Sequence, residues 1–338
     1  MSELWCDVRA GESASLDLEV GESTTGNAIR IPIYVRRGES EGPTLFVTAA
    51  VHGDELNGTG VIRELILDTT IRLRRGALVL VPVVNVLGFE RHSRYLPDRR
   101  DLNRSFPGDA KGSLAARMAE AVFREIIQPC HFGIDLHTAA TRRTNFPNLR
   151  ADLSDAGVRR LAESFGCEIV LDTKGTKGTL RREATRLGIP TVVLEAGEVL
   201  KVEPVVVDYA IRGIRNILAE LGMIDGEPNR TPIVEVKKTR WVRAADGGFL
   251  QFHVGPGEYV EKKAAIATST DLLGNALATV VAPYSGVVIG LTTLPAVRPG
   301  DAVCHIAQVP RSRWRQLPAS ELAERAREDL ALNVRVTD

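Results

Sequence analysis

The chain is predicted to be an α/β protein with a smaller β domain near its C-terminal end. Two features of its 338 residues lead there. From residue 43 to about 222, short continuous apolar runs alternate with stretches of helical periodicity, the pattern of strands buried on both faces and joined by crossover helices. Past a segment rich in Gly, Pro and Asn at 225–232, the texture changes to short alternating strands and turns with almost no helical period.

The first buried strand spans 44–51, and Val61, Ile62, Leu65 and Ile66 then recur at helical spacing. A second strand covers 77–84, and a helix over 114–127 is stopped by Pro129, which has no donor to continue it. Further strands follow at 132–136, 168–171 and 191–194. A long amphipathic helix runs through Val207, Ile211, Ile214, Leu218 and Leu221 until Gly222 ends it. In the β region Pro256-Gly257-Glu258-Tyr259-Val260 is echoed by Pro299-Gly300-Asp301-Ala302-Val303, which suggests two similar halves. A charged helix at 318–332 carries Leu322, Ala326 and Leu330 along one side. The expected division is an α/β domain with an N-terminal strand segment at 1–228, a small β domain at 229–310 and a helical tail at 311–338.

Composition narrows the class of function. Hydrophobic residues at 44% and charged residues at 25%, with 30 Gly and 17 Pro, describe an ordinary globular chain rather than a fibrous or disordered one. The 43 basic residues cancel 43 acidic ones, so no net field attracts nucleic acid or an anionic membrane, and a charged ligand must meet a local cluster. Cys6, Cys130, Cys167 and Cys304 form no C-x-x-C pair and read as reduced thiols. Residues 1–15 are polar, with Glu3, Asp7 and Glu12, and lack the order of a secretory signal. The longest apolar run, 77–87, is interrupted by Pro82 and Asn85 and falls short of the ~18 residues that a bilayer span needs. The expectation is a soluble, cytoplasmic protein.

His52-Gly53-Asp54-Glu55 stands where the first buried strand gives way to a helix, so one turn can aim His52 and Glu55 at one point. Hydrolytic zinc sites use three protein ligands, often two His and a carboxylate, and leave the fourth place to water. His137, ending the strand in Asp135-Leu136-His137-Thr138, supplies a third, and ligands in α/β sheets collect beyond the carboxyl ends of strands. A His and a Glu at this spacing also line ordinary surface turns; the second strand-end His is what raises the metal reading. Asp135 shares a strand face with His137 and can orient it or serve as a buried polar anchor. Asp54 reads as a helix cap.

The apolar strand 191–194 ends in Glu195, a carboxylate at the same sheet edge that can take a proton from water and pass it to a departing amine. Glu198, placed beyond Ala196-Gly197 in a loop, is the neighbouring alternative. Between the two metal segments lies a connection with Arg91, Arg94, Arg99, Arg100 and Arg104. The planar Arg fork beside an Asn suits Asn103 and Arg104 to capture of a substrate carboxylate, against the alternative of a solvated basic surface. His131, His253 and His305 read as packing or surface residues, and His92 stays open as a substrate contact.

Taken in order, H-G-D-E at 52–55, S-R-Y at 93–95 with D-L-N-R-S-F-P-G at 101–108, D-L-H-T at 135–138 and L-E-A-G-E at 194–198 closely resemble the succinylglutamate desuccinylase/aspartoacylase family, relatives of the zinc carboxypeptidases. The resemblance covers residues 43–222 and, more loosely, the β region. It implies a zinc-carboxypeptidase-like mixed sheet flanked by helices, with one zinc ion per chain on His52, Glu55 and His137. It implies Glu195 as general base, Asn103 and Arg104 on the substrate carboxylate, and Arg94 polarising the scissile carbonyl, with Arg100 competing because this loop is longer than in the shortest relatives. A further substrate arginine upstream of the Glu195 strand is also implied; Arg186 is the nearest match, and Arg181 and Arg182 compete.

The β region resembles the biotinyl-lipoyl fold. Carriers of that kind hold a cofactor lysine at a hairpin tip, yet the corresponding stretch 269–275 has none, and Lys262 and Lys263 precede it. The region is expected to shape or cover the active-site mouth instead. The activity implied is zinc-dependent hydrolysis of the amide bond of an N-acyl amino acid or related small carboxylate, with no nucleic-acid or membrane partner and with homo-oligomers left open. A zinc carboxypeptidase acting on short peptides and a metal-free binding protein on a hydrolase scaffold are the alternatives.

Overall fold

Residues 5, 7–317 and 320–334 are described by the structure, a computed structural model. Cys6, Glu3 and Pro318 lie outside them. Strands β1 (Ser13–Glu22) and β2 (Ala28–Arg37) form an antiparallel hairpin. Then come β3 (Ser40–Ala49), β4 (Arg75–Val81), β5 (Phe132–His137), β6 (Arg143–Ala151), β7 (Ile169–Asp172) and β8 (Thr191–Glu198). The helices among them are α1 (Asn57–Leu67), α2 (Val86–Phe89), α3 (Leu114–Val122, continued by a π turn over Phe123–Ile127), α4 (Ala156–Phe165), α5 (Leu180–Arg186) and α6 (Pro204–Glu220).

The central strands run parallel in the order β4-β3-β5-β8, with the β1-β2 hairpin antiparallel on one side and β6 antiparallel on the other. The sheet is therefore mixed, as the sequence motifs imply. Leu45, Val47, Leu78 and Leu80 face a core closed by α1, α4 and α6, whereas Phe46 and Val79 face one closed by α3 and α5. Coverage on both faces explains why these strands read as unbroken apolar runs. Each fully buried Leu or Phe contributes ~1.5–3 kcal/mol. β1 and β2 alternate instead, with Ile29, Ile31, Ile33 and Val35 inward, because one face meets solvent.

The C-terminal third adds β9 (Val234–Val236), β10 (Thr239–Arg243), β11 (Gly248–Phe252), β12 (Tyr259–Val260), β13 (Ala265–Thr270), β14 (Ala276–Val281), β15 (Gly286–Thr292), β16 (Ala296–Val297) and β17 (Ala302–Ala307). Two helices follow, α7 (Arg311–Arg315) and α8 (Glu321–Ala331). Hydrogen bonding continues past residue 228. β9 joins β7, and β15 pairs with β6, so β15, β17 and β10 extend the main sheet. Strands β14, β13, β11 and β16 form a separate four-stranded sheet. The two echoed Pro-Gly motifs share a conformation: Gly257 and Gly300 take φ of 82° and 88° ahead of strands that both pair with β15. α8 buries Ala323, Ala326 and Leu330 in the core that also holds α6. Among the described residues no helix is long and apolar enough to cross a membrane.

Candidate active site

Three parallel neighbours end at one edge of the sheet. Ala49 of β3 lies opposite Leu136 of β5, and His137 lies opposite Glu195 of β8. The chain then leaves β3 through a tight turn. Ala50 has a φ of 48°, a left-handed conformation costing a non-glycine residue ~1–3 kcal/mol. Gly53 approaches α2 so closely that a Cβ there would stand 2.1 Å from the Gly88 carbonyl carbon. Gly53→Ala is therefore expected to push the turn off α2, costing ~1–3 kcal/mol in denaturant unfolding and weakening metal uptake in the same preparation. Wild-type stability and metal content in that variant would show that the approach is dispensable.

His52, Glu55 and His137 are buried, and their ligand atoms lie within 4.8 Å of one another. Glu55 joins the two rings, with Oε1 2.7 Å from His52 Nδ1 and Oε2 2.8 Å from His137 Nδ1, while the Thr138 N–H donates to Oε2 at 3.1 Å. The far ring nitrogens also meet carboxylates. Asp135 Oδ2 is 2.8 Å from His137 Nε2, its Oδ1 accepts the Thr48 hydroxyl at 2.7 Å, and Asp101 Oδ1 is 3.2 Å from His52 Nε2.

Burial alone would push the histidines down and Glu55 up. Instead Glu55 and Asp101 raise His52, Asp135 and Glu55 raise His137 well above its ordinary value, and the two rings hold Glu55 far below the usual carboxylate range. Three carboxylates around two imidazoles leave a surplus of negative charge that a divalent cation balances. Two imidazoles and one carboxylate are also the donor set of a hydrolytic zinc site, and outer carboxylates on the far nitrogens are what fixes ligand rings. The residues fit the ion.

Arg94 closes the cluster from above, with Nη1 3.4 Å from Glu55 Oε1 and Nη2 donating to Asp101 Oδ2 at 3.0 Å. Arg100, its competitor, pairs with Asp98 at the surface and does not line the cavity. Asp54 is not the cap of α1: Leu56 occupies that position without a side-chain bond, and the Asp54 Oδ1 atom is buried without a hydrogen-bond partner.

Both Glu195 oxygens are held from β6. Asn145 Nδ2 donates to Oε2 at 3.1 Å, and Arg150 Nη1 lies 3.1 Å from Oε1. Five residues apart, Asn145 and Arg150 would face opposite sides of a regular strand; the register shift between Asn145 and Asn148 turns both toward Glu195. Glu198, expected in a loop, instead ends β8, because β6 pairs with it and Gly197. Its carboxylate accepts from Thr293 at 2.6 Å and Lys201 at 2.7 Å.

A cavity of about 500 Å³ opens over the cluster, and Arg94, Asn103, Arg104 and Glu195 line it with His52, Glu55 and His137. Asn103 Oδ1 accepts the Leu180 N–H at 2.9 Å and so caps α5, whose own Thr179 makes no side-chain cap. Arg186 does not reach this cavity. It is 61% exposed and pairs with Glu183 at 3.0 Å. Residues five apart on a helix point ~140° apart, and α5 turns Arg181 inward instead. Arg181 is 5% exposed, donates to the Thr173 carbonyl at 2.8 Å, and is drawn down to about 10 by burial and by Arg150.

Asp101, Asn145 and Arg150 contribute to the site without a motif that marks their roles in the sequence. The last two stand on a strand whose polar residues and Pro147 hide it from a pattern search. His305, read as packing or surface, lines the cavity together with Trp241. His131 Nδ1 accepts the Thr44 N–H at 3.0 Å, His253 Nε2 bonds the Thr268 hydroxyl at 2.8 Å, and His92 is exposed outside the cavity.

A family model for the succinylglutamate desuccinylase/aspartoacylase catalytic domain matches residues 41–221. The chain belongs to this family. One relative, the N-alpha-acetyl-L-2,4-diaminobutyric acid deacetylase of Halomonas elongata, is 29% identical over 317 residues, which span 88% of this chain and 91% of the relative. A succinylglutamate desuccinylase/aspartoacylase structure from Rhodobacter sphaeroides superposes with a TM-score of 0.77 at 25% identity, covering 91% of this chain and all of that one. The product-bound ectoine utilization protein EutE (DoeB) of Ruegeria pomeroyi shares the fold with a TM-score of 0.77 at 24% identity, over 89% of this chain and 96% of that one. Family and relative alike indicate an amide-hydrolysing deacylase. For a desuccinylase/aspartoacylase family member, the arrangement of Glu195 beside a His-Glu-His cluster has an immediate chemical reading.

Proposed function

We propose that this family member is a zinc-dependent deacylase that releases an amino acid or related small carboxylate from its N-acyl conjugate. The observation that carries the reading is the meeting of His52, Glu55 and His137 with Glu195 at one sheet edge, under a cavity that Asn103 and Arg104 line. Zinc on those three ligands would supply a Lewis acid and bring a bound water to a pKa of about 7. Glu195, oriented by Asn145 and Arg150, takes the proton of the attacking water and delivers it to the departing nitrogen. Arg94 donates to the carbonyl oxygen as negative charge gathers there. Asn103 and Arg104 hold the substrate carboxylate, which turns recognition into alignment. Asp101 and Asp135 keep the two imidazoles in place.

A cavity of about 500 Å³, walled on one side by Trp241 and His305, suits a small amide better than a peptide chain. Zinc-loaded protein should cleave acetyl, succinyl or longer N-acyl amino acids with kcat/KM of ~10⁴ M⁻¹s⁻¹ or more. Short peptides should react at least ~100-fold more slowly. Faster cleavage of peptides would reassign the chain as a carboxypeptidase. No hydrolysis of either class with zinc bound would reject the deacylase.

A further inference from the structure

The cavity has a second wall, and the C-terminal strands build it. Trp241 of β10 is the register partner of His305 of β17, His305 of Gly290 of β15, and Gly290 of Asn145 of β6. One row thus runs from the indole to the residue that donates to Glu195. Trp241 and His305 stack, with ring centroids 4.5 Å apart and planes 10° from parallel. The Arg143 guanidinium carbon lies 4.7 Å from the Trp241 ring. Gly290 leaves the row open in the middle, since a Cβ there would stand 2.8 Å from Asn145 Oδ1.

The charges in this wall are unbalanced. Arg143 lines the cavity and forms no ion pair or side-chain hydrogen bond among the described residues, whereas Arg150 pairs with Glu195, and Arg94 pairs with Glu55 and Asp101. Among the described residues the only carboxylates lining the cavity are Glu55 and Glu195, both engaged, so an ammonium group finds no free acid there. The His305 ring nitrogens have no protein hydrogen-bond partner among the described residues. Burial, with Arg150 and Arg143 beside it, draws His305 down to about 4, so at neutral pH it offers a donor and an acceptor without charge.

We propose that Arg143, backed by Trp241 and flanked by His305, is a specificity-determining subsite for a carboxylate at the far end of the substrate, distinct from the carboxylate held by Asn103 and Arg104. His305 stands two strand spacings from Asn145, roughly 10 Å. A carboxylate on either the acyl chain or the amino-acid side chain can reach it. The inference deepens the deacylase reading and rests on it for the bond that is cut, not for the group that is bound.

Calorimetric titration of the zinc-loaded full chain tests it with glutamate, glutamine and ornithine for the amino-acid side, and with succinate and its monoamide for the acyl side. At least one acid should bind ~10- to 100-fold more tightly than its amide, the range of a charge-assisted bond. Arg143→Gln should bring that pair within about two-fold, and Arg143→Lys should keep part of the gap, with circular dichroism and zinc content unchanged. The acid that shows the Arg143-dependent gap identifies which end of the substrate is read. Equal binding of acid and amide, tighter binding of ornithine, or an Arg143→Gln loss shared equally by acid and amide overturns the subsite. Arg143-dependent binding of an acid with no cleavage of any conjugate would support the subsite while the deacylase reading fails. Cleavage of N-acyl amino acids with no preference for acid over amide would do the reverse.

Discussion

Glu195→Gln should lower kcat/KM by ~10²–10⁴ while the zinc content stays at one per chain, because a carboxamide keeps the shape of the side chain but cannot accept the proton of water. The surroundings predict that the variant folds. Asn145 and Arg150 reach Glu195 from β6, and the carboxamide oxygen can still accept from one of them. Arg150 is 40% exposed, so solvent screens its lost counter-charge and the stability change should stay within ~1 kcal/mol. Metal analysis, unfolding and kinetics on one preparation check the three parts together. Full activity in this variant would remove Glu195 from the reaction. Lost zinc would mean instead that it helps hold the metal.

Chelation should abolish turnover, and added zinc should restore it, with a pH dependence set by the ligands. His52 and His137 are raised above 6.5 in the folded metal-free chain, so their protonated forms add stability that is complete below pH 6.5 and lost as pH rises through the folded values. Glu55 is lowered from 4.5, so its contribution is present above pH 4.5 and lost as pH falls through its folded value. Zinc needs both rings neutral and must displace their protons. Its apparent affinity should therefore climb with pH above 6.5, with proton release on binding, in competition titrations against a chelator of known affinity. A flat affinity profile over that range would show that other groups take the metal. Zinc at 100 times its dissociation constant should add about 2.7 kcal/mol to unfolding. His137→Ala should lose that gain together with activity.

The sheet strands that lead to His52, His137 and Glu195 are legible in the sequence for a physical reason. β3 is packed on both faces and β5 and β8 are buried along almost their whole length, so they stand out in the sequence, and the polar residue that ends each run is conspicuous. β6 gives the opposite case. Its Arg143, Asn145 and Arg150 point into the cavity, so a buried strand reads as a polar loop. The side of α5 that faces the cavity was not readable either. A helix of seven residues has no long period from which to take its phase, so spacing alone does not tell Arg181, Arg182 and Arg186 apart. His305 shows a third limit. Its place depends on strands far apart in the chain finding one another in register, and no local pattern encodes that.

The ladder between Arg143, Thr144 and Asn145 on β6 and Thr292, Leu291 and Gly290 on β15 binds the catalytic and C-terminal portions into a single slab. A jaw that swung open between them would have to tear that seam. Substrate and product should therefore come and go without these two portions parting. A fragment cut at residue 228 would also bare Arg143–Asn145 of β6 and the side of β7 that β9 covers as sticky, unmated edges, so the portion bearing His52, Glu55 and His137 should precipitate when made alone.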